Sequence, residues 1–288
     1  MNHYIGLDIG GTKIYGAVYD EDWNVIKDLK VPTQASEGFE IVYKNIVHVI
    51  NEIKTDQTQS IGLAWPGFVT KDGFIQKTPN ISTVEDVWLA KDIEKEIGIP
   101  TTICNDAKLF AFAEYGAQNP SPKATLGIIF GTGVGSGFVC DGDLLMGANG
   151  FATEIGQVLL VDTNKTANTL FAGRGIHAFF AEQGWEDDVH VIQDAMRADK
   201  DQFKSMLPFI DSLCGWLRDV ILAFDPDDIV FGGSVGIHFW SIWKEEIEAS
   251  LAQKLAEYPN TISLRFSELD NAGSLGAGMF GKQATNLK

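Results

Sequence analysis

Cysteine and basic residues are scarce in this 288-residue chain, and long apolar runs are missing from it. The three cysteines, Cys104, Cys140 and Cys214, are isolated, odd in number and without C-x-x-C spacing. That argues against a disulfide framework or a cysteine-built zinc site and suits reduced, buried thiols. Lys and Arg number 22 against 39 Asp and Glu, a formal net charge of −17. Binding to a nucleic-acid backbone or to anionic lipid needs a cationic footprint, which this balance does not supply. No stretch of about 18 apolar residues is available to span a bilayer. The N-terminus runs into strand-like Tyr4-Ile5-Gly6-Leu7 without a basic and apolar leader, so the expected location is the cytoplasm, with no nucleic-acid or membrane partner. His3, His48, His177, His190 and His238 show no paired ligand spacing and are expected to be structural or solvated.

What is present is glycine in a pattern. Gly6, Gly10, Gly16 and Asp20 recur as Gly127, Gly131, Gly137 and Asp141, in register and without a gap. Each copy has an apolar stretch, a glycine-rich bend and a second apolar stretch ending at an Asp, which reads as a β-hairpin. Glycine lets a backbone bend sharply and come close to a ligand, so that its N–H groups converge on an anion such as phosphate. Taken singly, either copy is also explained by ordinary hairpin turns. Two in one chain suggest two lobes gripping one polyphosphate.

The rest of the pattern is α/β. A third strand is expected at Val25–Val31 and a helix from about Glu37 to Ile53, where Phe39, Val42, Ile46, Val49, Ile50 and Ile53 follow helical spacing. Strands are expected at Ile61–Trp65 and Thr101–Cys104, with helices at Ala90–Ile97 and Ala107–Tyr115. From about Thr125 the pattern restarts. The segment between Gly147 and Gly175 reads as irregular, with helices resuming near Ile176. One long helix is expected over Phe203–Phe224, then a strand at Asp228–Phe231, and a helix carrying Trp240, Trp243, Ile247 and Leu251 as core or dimer contacts. Strand Ile262–Phe266 and a last helix from about Ala272 complete the chain. Glu186-Asp187-Asp188 reads as a solvated loop and helix start.

Several positions have side chains suited to phosphoryl transfer. In Asp8-Ile9-Gly10-Gly11-Thr12-Lys13, Asp8 could hold Mg²⁺ through water, while Gly11 and Thr12 amides and the Thr12 hydroxyl meet phosphate oxygens. The second copy has Ile129 where the first has Asp8, so one carboxylate serves one metal ion. Gly131-Thr132-Gly133 reads as the second phosphate clamp. Gly232-Gly233-Ser234 lies between a strand and a helix and reads either as a phosphate or adenosine contact or as a plain connection. Asn105-Asp106 opens a helix, so the pair reads either as an N-cap or, for Asp106, as a general base that deprotonates a substrate hydroxyl.

Taken in order, Asp8 to Lys13, Pro66-Gly67, Asn105-Asp106-Ala107, Gly131 to Gly137, Glu154-Ile155-Gly156 and Asp225-Pro226 with Gly232-Gly233 resemble the motifs of ROK-family sugar kinases across essentially the whole chain. The resemblance implies a two-lobed actin-like, hexokinase-type ATPase fold, each lobe a mixed β-sheet flanked by helices, with the active site in the interlobe cleft. The lobes would be residues 1–118 and 119–271, with the final helix, 272–288, packing back on the first. It implies ATP and Mg²⁺ as cofactors, a hexose as substrate, a homodimer, and closure of the lobes to exclude water. By the same resemblance Asp106 is the catalytic base, and Asn80, Asn105 and Glu154 lie at the sugar. Asn105-Asp106-Ala107 with Phe110 and Glu114 looks closer to the glucokinase and N-acetylhexosamine kinase branches than to fructokinases.

The chain departs from the family at one place. Family members have Glu-x-Gly-His followed by a C-x-C-G-x-x-G-C-x-E zinc loop, whose three cysteines join the His and which supplies a further sugar-binding Glu. Here Gln157 replaces the His, no cysteine occurs between Cys140 and Cys214, and Asn168 falls where that Glu would stand. Zinc needs its full ligand set, so the expectation is a site without zinc in which Gln157 and Asn168 hydrogen-bond the sugar. Phosphorylation of the 6-hydroxyl of glucose or an N-acetylated amino sugar is the leading expectation. A fructose or mannose kinase, a polyphosphate donor, a non-enzymatic sugar sensor and a degenerate interaction protein are the alternatives.

Overall fold

The computed structural model describes all residues except 79, 80, 82, 83, 161, 162, 186–188, 260, 287 and 288. Asn80 and the Glu186-Asp187-Asp188 stretch therefore lie outside the described residues. In chain order the elements begin with β1 (His3–Ile9), β2 (Lys13–Tyr19), β3 (Val25–Pro32), α1 (Phe39–Ile53), β4 (Thr58–Trp65), β5 (Phe68–Val69), β6 (Ile75–Lys77) and β7 (Glu85–Val87). They continue with α2 (Leu89–Ile97), β8 (Thr101–Asn105), α3 (Asp106–Gly116), β9 (Ala124–Phe130), β10 (Val134–Cys140), β11 (Asp143–Leu144), β12 (Leu159–Leu160) and β13 (Lys165–Thr166). The last are α4 (Ala167–Phe171), α5 (Gly173–Glu182), α6 (Val189–Ala198), α7 (Leu207–Phe224), β14 (Asp228–Gly232), α8 (Gly233–His238), α9 (Lys244–Lys254), β15 (Ser263–Phe266) and α10 (Ala272–Asn286). They make two compact units, one of residues 1–121, 142–153 and 269–288, the other of 122–141 and 154–268. No helix among the described residues is long and apolar enough to cross a membrane.

In the first unit the sheet order is β3-β2-β1-β4-β8, with β1–β2 and β2–β3 antiparallel and β1–β4 and β4–β8 parallel. Val42, Ile46, Val49, Ile50 and Ile53 of α1 recur at helical spacing, are all buried, and pack with Leu7, Val18 and Leu63 in one core. The last helix, α10, packs on β1, β4 and α3 through glycine. A glycine in a helix costs about 1 kcal/mol of propensity, yet here it permits an approach no other residue allows. A Cβ on Gly276 would lie 1.9 Å from the Leu109 carbonyl oxygen, and one on Gly62 of β4 would lie 1.7 Å from that of Ala277.

Residues 142–153, which the sequence places in the second lobe, pack in the first unit instead. Lys71 N–H donates to the Asn149 carbonyl at 3.3 Å, and Met146 and Leu144 lie against the small cluster of Ala64, Cys104 and Leu109. Gly150, at φ 95°, leaves no room for a Cβ beside the backbone of Val69 to Lys71. Burial pushes the Cys104 thiol up to about 12, which makes it an inert core group rather than a nucleophile.

The second unit repeats the sheet motif as β10-β9-β14-β15, an antiparallel hairpin followed by two parallel strands. The repeat is gapless in sequence but not in register. Ile9 faces Ile14 across a four-residue turn, whereas Phe130 faces Val134 across three. Gly16 and Gly137 consequently have different cross-strand partners, Leu7 and Gly127. The second turn is the tighter of the two.

Elsewhere the structure corrects the helix readings. The expected single helix from Phe203 is a 3₁₀ segment, Lys200–Met206, followed by α7. Pro208 stands in the first turn of α7, where its missing N–H costs nothing; inside a continuous helix its ring would strike the carbonyl four residues back. The tryptophan helix is likewise split into α8, a 3₁₀ turn at Trp240–Trp243, and α9. In a 3₁₀ turn residues three apart eclipse, and Trp240 and Trp243 are both fully buried in the core of this unit. The irregular segment 147–175 holds a 3₁₀ turn at Ile155–Gln157, the β12–β13 hairpin and α4, and α5 starts at Gly173 rather than Ile176. The Thr166 hydroxyl caps α4 by accepting Thr169 N–H at 3.1 Å. The unexpected β5-β6-β7 sheet consists of strands too short to show periodicity.

Candidate active site

In the first unit Asp8 stands near the end of β1, beside the Gly10–Lys13 turn. Gly273, at the start of α10, leaves the space its carboxylate occupies: a Cβ there would lie 3.0 to 3.2 Å from Asp8 Cγ, Oδ1 and Oδ2. Desolvation raises the Asp8 pKa above the ordinary carboxylate range, partly offset by the Lys13 ammonium. Gly10 N–H closes the turn onto the Lys13 carbonyl at 2.9 Å. Thr33, fully buried just beyond β3, holds the turn from behind: its hydroxyl donates to the Gly10 carbonyl at 2.6 Å and its N–H to the Thr12 carbonyl at 3.0 Å. Two turn carbonyls are thus directed backward, while Gly11 and Thr12 N–H have no acceptor among the described residues. Thr33 was not among the expected site residues, and no local pattern in the sequence marks it, because its partner Gly10 lies 23 residues away.

Asn105 ends β8 and caps α3, and Asp106 is the first residue of that helix. Asn105 Oδ1 accepts Lys108 N–H at 3.2 Å, while its Nδ2 donates to the Gly67 carbonyl and to Asp106 Oδ1, each at 3.1 Å. Asp106 Oδ1 also accepts Ala107 N–H at 2.8 Å. The N-cap reading of Asn105 therefore holds, and the same amide orients the carboxylate next to it. An anion at a helix N-terminus is further favoured by the helix dipole.

In the second unit, Gly131 N–H closes the turn onto the Gly133 carbonyl at 2.9 Å. The Gly131 carbonyl accepts Gly173 N–H at 2.9 Å, and Asn168 Oδ1 accepts Val134 N–H at 2.8 Å. Thr132 is exposed at the tip, and the N–H groups of Thr132 and Gly133 have no acceptor among the described residues. Glu154 caps a 3₁₀ turn, Ile155–Gln157, that Gln157 ends, with Gln157 N–H donating to the Glu154 carbonyl at 3.0 Å. That turn is pressed on β10, because a Cβ on Gly156 would lie 2.2 Å from the Val134 carbonyl oxygen. Gly232 ends β14 and Gly233 begins α8. Gly233 has φ 76°, and a Cβ on it would lie 2.4 Å from the Phe130 carbonyl oxygen, so the strand-to-helix connection itself requires glycine there, whereas Gly232 is ordinary extended backbone.

The first unit thus offers one oriented carboxylate, one desolvated carboxylate and a turn whose Gly11 and Thr12 N–H groups have no acceptor among the described residues; the second offers another such turn and, at one 3₁₀ turn, Glu154 and Gln157. No group of three or more His, Cys, Asp or Glu among the described residues could cage a metal ion. That donor set fits Mg²⁺, which keeps several waters and is held by one or two carboxylates together with substrate phosphates.

The sequence pattern of the ROK family matches residues 4–284. A glucokinase of Halalkalibacterium halodurans is 29% identical over 98% of this chain and 96% of its own. An N-acetyl-D-glucosamine kinase of Vibrio parahaemolyticus is 26% identical over 95% and 98%. The crystal structure of a ROK hexokinase from Thermus thermophilus superposes with a TM-score of 0.87 at 27% identity, covering 99% of this chain and 100% of that one. The expected fold class, an actin-like α/β fold of hexokinase type with a mixed sheet and helices in each unit, is the fold of this protein.

Proposed function

The chain belongs to the ROK family, and from that premise we propose that it is a cytoplasmic, homodimeric, ATP-dependent hexose kinase that phosphorylates the 6-hydroxyl of glucose or an N-acetylated amino sugar. The observation that carries this reading is the Asn105–Asp106 pair, a carboxylate oriented by its neighbour's amide at a helix N-terminus. Asp106 takes the proton of the 6-hydroxyl as that oxygen attacks the γ-phosphorus. The new O–P bond forms while the bond from phosphorus to the bridging oxygen of ADP breaks, and the electron pair leaves with ADP.

Such a transfer asks the protein mainly for alignment and charge stabilisation. Gly11 and Thr12 in one turn, and Thr132 and Gly133 in the other, supply N–H donors for phosphate oxygens. Mg²⁺, bound with the nucleotide and held by Asp8 through water, would supply charge neutralisation at the phosphates. Lys13 adds a cation beside Asp8. Asn80, Glu154 and Gln157 are assigned to sugar hydroxyls, Gln157 as a neutral partner. The glucokinase and N-acetylglucosamine kinase relatives support this substrate class.

The test is ADP release from Mg·ATP across glucose, N-acetylglucosamine, N-acetylmannosamine, mannose and fructose, with Asp106→Asn as control. Turnover is expected on glucose or an N-acetylated sugar, with kcat lowered about 10²–10⁴-fold in the variant and nucleotide binding kept. Nucleotide and sugar binding without turnover on any of these sugars would replace the kinase with a sugar sensor.

A further inference from the structure

Asn168 stands where the family resemblance puts a sugar-binding Glu, but its carbonyl is engaged elsewhere. The Gly131 N–H to Gly133 carbonyl bond is the cross-strand hydrogen bond nearest the tip of the β9–β10 hairpin. In an antiparallel ladder the next pair, Phe130 and Val134, is then not hydrogen-bonded, so Val134 N–H points off the hairpin. Asn168, in α4, meets it at 2.8 Å. A backbone N–H can only donate, so the atom that meets it is Oδ1. The approach is close enough that a Cβ on Gly133 would lie 2.7 Å from the same oxygen. Two residues beyond α4, Gly173 N–H holds the Gly131 carbonyl at 2.9 Å. The α4–α5 corner therefore grips the turn at both ends, while Thr132 and Gly133 N–H have no acceptor among the described residues.

We propose that Asn168 is a positioning residue for the phosphoryl donor: through Val134 N–H it fixes the Gly131-Thr132-Gly133 turn in the shape that binds donor phosphate, and it is not a sugar contact. Thr33 offers a parallel in the other unit, where a buried side chain grips the Gly10–Lys13 turn from behind. A turn this rich in glycine is loose by itself, and an unheld turn must be ordered at each binding event. The proposal rests on the kinase reading.

The test compares Asn168→Ala and Asn168→Asp with the native protein in three measurements: calorimetric binding of the ATP analogue AMPPNP with Mg²⁺, KM for the sugar, and amide hydrogen exchange at Val134. Loss of one neutral hydrogen bond predicts AMPPNP binding about three- to tenfold weaker in Asn168→Ala, with sugar KM within about twofold of native and faster exchange at Val134. Asn168→Asp keeps the acceptor and should keep Val134 protected. Sugar KM rising while AMPPNP binding holds would overturn the proposal and return Asn168 to the sugar. Unchanged AMPPNP binding and sugar KM in Asn168→Ala would also overturn it. A native protein that binds no AMPPNP would bring down the kinase reading itself, a result distinct from both of these.

Discussion

Asn105 donates from Nδ2 to Asp106 Oδ1 at 3.1 Å while its own Oδ1 accepts Lys108 N–H, so a single amide caps α3 and orients the carboxylate that begins it. The two roles separate by substitution. Asn105→Ala removes both and should cost about 1 kcal/mol of stability through the lost cap, with kcat at least about tenfold lower as Asp106 loses its orientation. Asn105→Asp retains a cap acceptor, so much of the stability should return. It cannot donate to the Gly67 carbonyl and sets a second carboxylate beside Asp106, so activity should stay low. Thermal melts and steady-state kinetics on both variants decide this. Native kcat in Asn105→Asp would show that donation to Asp106 is dispensable.

Asp8 predicts a trade between stability and activity. Desolvation raises its folded pKa above the unfolded value of about 3.9. The folded state then binds more protons than the unfolded one, so stability from this group is present at low pH and falls as pH rises from about 4 through the folded pKa. At neutral pH the ionised carboxylate is a burden, and Asp8→Asn should raise Tm by a few degrees while lowering sugar-dependent ADP release. Calorimetric scans between about pH 4.5 and 8 test the sign. A lower Tm in the variant throughout that range would mean that the attraction of Lys13 outweighs desolvation.

The parts of the fold and site that were legible in the sequence are those whose signals are local. Both hairpins, the α1 face and the α10 start follow from periodicity and glycine placement, and the Asn105 cap from its position before a helix. The one-residue difference between the hairpin turns was hidden, because the glycines repeat at a constant spacing while the turn lengths do not. Thr33 and Asn168 were illegible as turn supports because their partners, Gly10 and Val134, are 23 and 34 residues away. Resemblance directed Asn168 to the sugar, and no local signal pointed to the hydrogen bond that its Oδ1 accepts from Val134 N–H. The tryptophan segment failed for a related reason: i, i+3 spacing with both rings buried fits a 3₁₀ turn as well as an α-helix, so the spacing does not tell them apart.

Glycine to alanine should have opposite effects at two positions. Gly62 lies in β4 under α10, where a Cβ would meet the Ala277 carbonyl oxygen at 1.7 Å. The Cβ is fixed to the β4 backbone and the oxygen belongs to the α10 backbone, so relief requires helix and sheet to separate. Gly62→Ala should destabilise by at least about 3 kcal/mol, the upper end of ordinary overpacking. Gly215 lies within α7, where an added Cβ finds nothing within 4 Å. Gly215→Ala gains helix propensity with no steric cost and should stabilise by up to about 1 kcal/mol. Urea unfolding of both variants, followed by circular dichroism, gives the two signs. Native stability in Gly62→Ala would mean that α10 can lift from the sheet without loss, and the close helix-to-sheet contact would not hold the first unit together.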